Sequence, residues 1–204
     1  MSTLPILGSA SPRRKSILEG LFGEIRVIHP ALDEARFPGE SPEDFSTRVS
    51  REKSAAVIAS LSSAFPGGRV LVITADTVVA IDGRVLGKPR DLEDAIGMIA
   101  MLGGRTHRVI TGLTLAAVED SGRVSSMTGY DTTHVTFRSL EEREIRRYLS
   151  LIDYRDKAGA YAFQEHGAII VEGYRGSATN IIGLPLRLLF SMLSTMGIAG
   201  EVFG

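Results

Sequence analysis

Apolar positions along this chain follow two rhythms, short β-branched runs and stretches where they recur every three or four residues, so strands and helices are both predicted. The run Leu4-Pro5-Ile6-Leu7 predicts a buried strand over residues 4 to 8, ending in Ser9-Ala10-Ser11. Ser11 suits an N-cap and Pro12 the first helical position, with Ile17, Leu18 and Leu21 as the apolar stripe and Gly20 and Gly23 closing the helix. A second strand is expected over Ile25 to Ile28, and Ser41-Pro42-Glu43-Asp44 opens a helix expected to reach about residue 62. The run VLVITADTVVAID, residues 70 to 82, is too β-branched for a helix and predicts a long buried strand, which Asp82-Gly83 turns into a hairpin.

Farther along, Asp91 opens a helix that stops at Gly103-Gly104, and two more strands are predicted around 107 to 118 and 124 to 137. A helix over about 140 to 152 follows the capping pattern Ser139-Leu140-Glu141-Glu142. DKAGAYAFQEHG, residues 156 to 167, reads as a Gly-broken loop; Ala168 to Val171 and Thr179 to Ile182 read as short strands; Pro185 starts a Leu-rich closing helix. Hairpins interrupt the strand-helix alternation, so the expected class is α/β with a mixed sheet, and the absence of repeats or low-complexity linkers predicts a single domain over 1–204.

Composition narrows the chemistry. At 44% hydrophobic and 23% charged residues the chain is ordinary for a folded domain, and no apolar run reaches the roughly 18 residues of a membrane span. A cytoplasmic protein is expected, since nothing resembles a secretory leader. With no cysteine, thiolate zinc sites and thiol nucleophiles are excluded, and the four histidines show no ligand spacing, so any metal should be a hard ion held by oxygen. Net charge is −1, which gives no broad field for nucleic acid or anionic lipid.

The cations must therefore act locally. Arg13, Arg14 and Lys15 follow directly on a helix start, where each opposes the macrodipole by about 0.3 to 1 kcal/mol unless an anion arrives. Unpaired N–H groups and arginine forks together suit phosphate, although a solvated first turn would carry the same residues. Asp76 lies within an apolar strand, where an ionised carboxylate needs a partner or a metal. If the hairpin loop has two residues, Ile81 pairs with Arg84, Val79 with Leu86 and Thr77 with Lys88, which brings Lys88 within reach of Asp76 as a site pair or a structural ion pair. Lys53 falls on the stripe of Phe45, Val49 and Ala56, by snorkelling or by function. Asp33 and Glu34 alone read as turn residues. No Walker or dinucleotide fingerprint is present, and the cationic elements with one buried carboxylate suggest a polyphosphate bound with a divalent ion.

Taken together, SASPRRK (9–15), LDE (32–34), REKSAA (51–56), ADTVVAIDGRVLGKPRD (75–91), DKAGAYAFQ (156–164) and GLPL (183–186) closely resemble, in order and spacing, the Maf family of nucleoside triphosphate pyrophosphatases. The resemblance implies a Maf/inosine-triphosphatase-like fold, with a mixed twisted β-sheet and flanking helices around a central cleft. It implies a hydrolase acting on acid anhydrides that converts a nucleoside triphosphate to the monophosphate and pyrophosphate with Mg²⁺ or Mn²⁺, and a possible homodimer. Carried over by position, it makes Asp76 the catalytic base and a metal ligand with Glu34, and Ser9, Arg13, Arg14, Lys53 and Lys88 substrate-binding residues. Arg13, Thr77 and Gln164 match the class similar to dTTP/UTP pyrophosphatases rather than the 7-methyl-GTP class. The stretch Ala162 to Gly167 departs from the family's usual Gly-Ile-Gln-Gly, and Gly8 stands where alanine is commoner, a difference of one methyl given little weight. The alternatives are a pyrophosphatase preferring another modified nucleotide, or a nucleotide-binding regulator of septum formation with incidental turnover.

Overall fold

The structure, a computed structural model, describes residues 3–61 and 69–202. Its elements are β1 (Thr3–Gly8), α1 (Pro12–Phe22), β2 (Arg26–Ile28), α2 (Pro42–Ser60), β3 (Arg69–Ile81), β4 (Arg84–Leu86), α3 (Leu92–Leu102), β5 (Thr106–Glu119), β6 (Val124–Phe137), α4 (Glu142–Leu149), β7 (Val171–Arg175), α5 (Ala178–Ile182), α6 (Leu186–Thr195) and α7 (Ala199–Val202). Among the described residues the strands form one seven-stranded sheet in the order β2-β1-β3-β5-β6-β7, with β4 paired to β3. β1 runs parallel to β2 and β3, whereas β3–β4 and β6–β7 are antiparallel, so the sheet is mixed.

The chain forms two compact units. The first comprises Met1–Asp76, Thr111–Asp131 and Gly183–Gly204, the second Thr77–Ile110 and Thr132–Ile182. In the first unit strand parity sorts the core. Leu71, Ile73 and Ala75 of β3, with Leu7, Leu113 and Leu115, pack against Leu18 of α1 and Leu189, Met192 and Leu193 of α6. Val70 and Val72, with Ile6 and Ala116, pack instead with Val57 of α2. Because side chains alternate along a strand, Thr74 and Asp76 share the α2 side.

That side admits α2 closely only because two residues lack side chains. A Cβ on Gly112 would stand 2.3 Å from the Ser46 carbonyl oxygen, and one on Gly8 would stand 2.5 Å from Thr74 Cγ2 and 2.8 Å from Val57 Cγ2. The missing methyl at Gly8 is thus not a minor difference: it leaves room for Val57 and Thr74. Between these contacts Thr74 Oγ1 donates to Ser50 O at 2.7 Å, and Ser50 Oγ lies 2.8 Å from Thr114 Oγ1. In the second unit Val79, Ile81, Val109, Val135 and Phe137 pack with Ile96 and Ile99 of α3 and Ile145 and Tyr148 of α4.

Most predicted elements are present, and four differ. The helix from Pro42 ends at Ser60, and residue 62 lies outside the described residues. The helix expected over 140 to 152 spans only Glu142–Leu149; its N-cap is Glu141, whose N–H donates to the Glu144 carboxylate at 2.9 Å, not Ser139. Ala168 to Val171 is not a strand: Gly167–Ile169 is a 3₁₀ turn and the strand begins at Val171. Thr179 to Ile182 belongs to a short helix, because Ser177 Oγ accepts from Asn180 N at 3.3 Å and the buried Asn180 amide donates to Val109 O and Thr133 Oγ1, both at 3.0 Å.

Candidate active site

The turn from β1 into α1 builds the first part of the site. Ser11 caps the helix by accepting from Arg14 N, and Pro12 occupies its first turn, where its missing N–H costs nothing. No acidic residue stands in that turn to offset the cations. The three cations then part ways. Lys15 is exposed and pairs with Glu19 at 3.5 Å, and Arg13 is half-buried. Arg14 is buried: its Nη1 donates to Ser9 Oγ at 3.0 Å and its Nε to Gly183 O at 2.8 Å. Ser9 Oγ also accepts from Ser11 N at 3.1 Å, so one buried hydroxyl ties the turn to the guanidinium. Burial lowers the Arg14 pKa, Asp76 opposes the shift, Arg13 adds to it, and Glu34 opposes it again.

Asp76 stands at the end of the α2-facing row of β3, and the cation that meets it comes from α2. Ser46, Ser50, Lys53 and Val57 recur along one helical face, and the small residues let the helix lie close enough for Lys53 to reach the strand. Lys53 Nζ stands 2.8 Å from Asp76 Oδ1 and 2.8 Å from Glu34 Oε1. Asp76 is 7% exposed and Lys53 9% exposed, whereas 45% of the Glu34 side chain is open to solvent. Lys53 therefore does not snorkel; its ammonium sits between two carboxylates, one buried and one exposed. Such a buried pair needs both partners, because removing one strands the other charge.

Ser9, Arg14, Glu34, Lys53 and Asp76 thus all belong to the first unit, and all five are linked by direct bonds, Ser9 with Arg14 as one pair and Glu34, Lys53 and Asp76 as one triad. Thr77, Lys88 and Gln164 belong to the second unit, where Thr77 is half-buried and Lys88 and Gln164 are exposed. The expected hairpin is present, with Ile81 opposite Arg84 and Val79 opposite Leu86, but the ladder stops there and no Thr77–Lys88 pair forms. The reason is a contact from a distant segment: the Gly87 carbonyl accepts from Gly159 N at 3.0 Å, which draws the chain away after Leu86.

Several supporting residues carried no sequence signal of their own. Ser50, Thr74 and Thr114 form a buried polar seam whose members lie far apart in the chain. Lys157, within DKAGAYAFQ, is buried and held by Asp156 at 2.9 Å, with Glu165 at 3.8 Å. It braces the loop that carries Gln164.

A family model described as "Maf-like protein" matches residues 5–196. The dTTP/UTP pyrophosphatase of Syntrophomonas wolfei subsp. wolfei is 41% identical over 191 residues, covering 94% of this chain and 96% of that protein. That of Agathobacter rectalis is 40% identical over 200 residues, covering 95% and 97%. A crystal structure of a nucleoside-triphosphatase / dITP/XTP pyrophosphatase from Mycobacterium abscessus is only distantly similar, with 15% identity and a TM-score of 0.34 over 64% of this chain and 73% of that one. A match of the family pattern over residues 5–196, with 40 and 41% identity to two relatives along nearly their full length, means that the chain belongs to the Maf-like protein family.

Proposed function

We propose that this chain hydrolyses dTTP and UTP to the nucleoside monophosphate and pyrophosphate. The relatives' names support the reaction and substrates. The observation that carries it is Asp76, a carboxylate buried in the sheet and held by Lys53 at 2.8 Å, at the position where the family resemblance places the catalytic base. In this reading a water oxygen attacks the α-phosphorus, its proton passes to the Asp76 carboxylate, and the bond from the α-phosphorus to the bridging oxygen breaks. Pyrophosphate leaves with that electron pair, and no covalent intermediate forms. Lys53 of α2, together with Arg13 and Arg14 in the first turn of α1, binds the triphosphate oxygens.

Asp76 and Glu34 would hold a divalent cation, Mg²⁺ or Mn²⁺. Their fit is visible in Lys53, whose ammonium is already a cation placed 2.8 Å from an oxygen of each. Among the described residues no cluster of three or more His, Cys, Asp or Glu side chains could hold a metal, so the remaining donors would be phosphate oxygens and water, as hard cations accept. When bound, the cation would supply charge neutralisation on the triphosphate.

Thr77, Lys88 and Gln164 are proposed substrate-contacting residues on the strength of the family resemblance. Gln164 offers a donor and an acceptor, which suits the carbonyl and N–H edge of thymine and uracil. Among the described residues no helix is long and apolar enough to cross a membrane.

The test is product identification with dTTP, UTP and 7-methyl-GTP at fixed Mg²⁺ or Mn²⁺, with and without EDTA. Monophosphate and pyrophosphate from dTTP and UTP, abolished by EDTA, are expected. Orthophosphate as the product, or nucleotide binding without turnover, overturns the proposal; the latter outcome points to a nucleotide-binding regulator.

A further inference from the structure

Glu34 lies in an irregular stretch, residues 29–41, between β2 and α2. Its side chain is 45% exposed, yet it is held on the Lys53 ammonium at 2.8 Å. Fixing such a backbone costs conformational entropy at every residue, so something must tether it. The tether comes from α2 itself. Arg48 Nε donates to Glu40 Oε1 at 2.7 Å and Nη2 donates to Glu40 Oε2 at 2.9 Å, a two-pronged pairing of guanidinium and carboxylate. Nη2 also donates to the Ala35 carbonyl at 3.0 Å, one residue beyond Glu34. Nη1 donates to both Glu52 oxygens at 3.1 Å. The guanidinium further lies 4.1 Å from the Phe37 ring centroid and 5.4 Å from that of Phe45.

These five contacts match the five N–H donors of an arginine, and an ammonium could not reproduce their planar fork. The loop closes on the same residue from its own side, since Phe37 N donates to the Glu40 carboxylate at Oε2, 3.1 Å away, and Arg36 Nε donates to the Glu40 backbone carbonyl at 3.0 Å. Arg48 and Lys53 share one helix, about 7.5 Å apart along its axis at the standard rise. A single rigid element therefore carries both the cation that Glu34 meets and the anchor that holds its loop there.

We infer that Arg48 is a positioning residue for the hydrolysis proposed above: by gripping Glu40, Ala35 and Phe37 it holds Glu34 on the Lys53–Asp76 pair. This rests on the assigned role of Glu34, and the test separates the two. Amide hydrogen exchange over residues 33–40 is compared among the wild type, Arg48→Gln and Arg48→Lys, alongside kcat/KM for dTTP in those proteins, in Glu34→Gln and in the Arg48→Gln/Glu34→Gln double variant.

Faster exchange confined to that loop is expected in both Arg48 variants, with kcat/KM down about 10- to 100-fold, the scale of a small misplacement. Adding Arg48→Gln to Glu34→Gln should cost little more, because both substitutions remove the same carboxylate from its place. Unchanged loop exchange overturns the inference. So does exchange raised throughout the first unit, full multiplication of the two kinetic losses, or wild-type kcat/KM in Arg48→Lys. If the wild type turns over no triphosphate, the functional reading fails, and exchange alone decides whether Arg48 holds the loop.

Discussion

At the scale of single residues, the proposed chemistry rests on a carboxylate that the fold keeps dry but not alone. Asp76 gains a hydrogen-bonded ammonium at 2.8 Å, and that ammonium gains a second carboxylate from Glu34. Asparagine preserves the shape of Asp76 but cannot accept the water's proton. Asp76→Asn is therefore expected to lower kcat for dTTP by about 10² to 10⁴, the usual worth of general-base catalysis, with nucleotide binding retained. Steady-state kinetics with a parallel binding measurement checks this. A near-normal kcat would move the base to Glu34, the other carboxylate on Lys53.

At the scale of elements, the decisive contact is the seating of α2 on the sheet. Gly112 leaves only 2.3 Å between a would-be Cβ and the Ser46 carbonyl oxygen, a backbone atom that cannot rotate away. Gly112→Ala must lift the amino-terminal part of α2, and overpacking of this kind costs about 1 to 3 kcal/mol. Because the same helix carries Lys53, activity should fall together with stability. Gly97, in the middle of α3, meets nothing within 4 Å, and alanine there should stabilise by about 0.5 to 1 kcal/mol through helix propensity, with kinetics untouched. Urea unfolding and kcat/KM measured on both variants give opposite signs for stability if the close approach is real.

At the scale of the whole molecule, pH acts through a group that the proposed chemistry does not use. His107 is buried in the second unit, with Nε2 3.0 Å from the Tyr161 hydroxyl and Phe137 and Tyr161 rings edge-on at 4.8 and 5.5 Å. Burial pushes its pKa down from 6.5 to about 4. Above about pH 7 neither the folded nor the unfolded chain holds this proton, so the group has no effect on stability there. As pH falls through 6.5 the unfolded chain binds the proton and the folded chain does not, so stability drops until pH nears 4. Between pH 7 and 5 the loss is about 2 kcal/mol from this group. His107→Gln should show a shallower decline over that range in urea titrations. The chain has no tryptophan, so tyrosine fluorescence is the natural probe, with Tyr148 and Tyr161 both in that unit's core. An equal decline in the variant would assign the acid sensitivity to other groups.

Local interactions leave their mark in local sequence, and what they control was legible there. Ser11 and Pro12, Ser41 and Pro42, and Asp91 announce helix starts because a cap is a contact within three or four residues. The β-branched run of β3 and the Asp82-Gly83 turn announce a hairpin for the same reason, and the family's spaced motifs mark Asp76, Lys53 and Arg14 as residues to watch. What depended on distant segments was not legible. That Asp76 meets Lys53 follows from the seating of α2, which Gly8 and Gly112 permit through contacts with residues far along the chain. That 178–182 is a helix follows from Asn180 reaching Val109 and Thr133, and the early end of the hairpin from Gly159 taking the Gly87 carbonyl. Arg48 looked like any charged residue of a helix until the fold brought Glu40, Ala35 and Phe37 around it. The sequence by itself determined most of the elements and the candidate reactive groups, since these rest on backbone propensity and side-chain chemistry; only tertiary structure decided their partners and the form of segments such as 178–182, since a long-range contact is set by the packing of the elements around it.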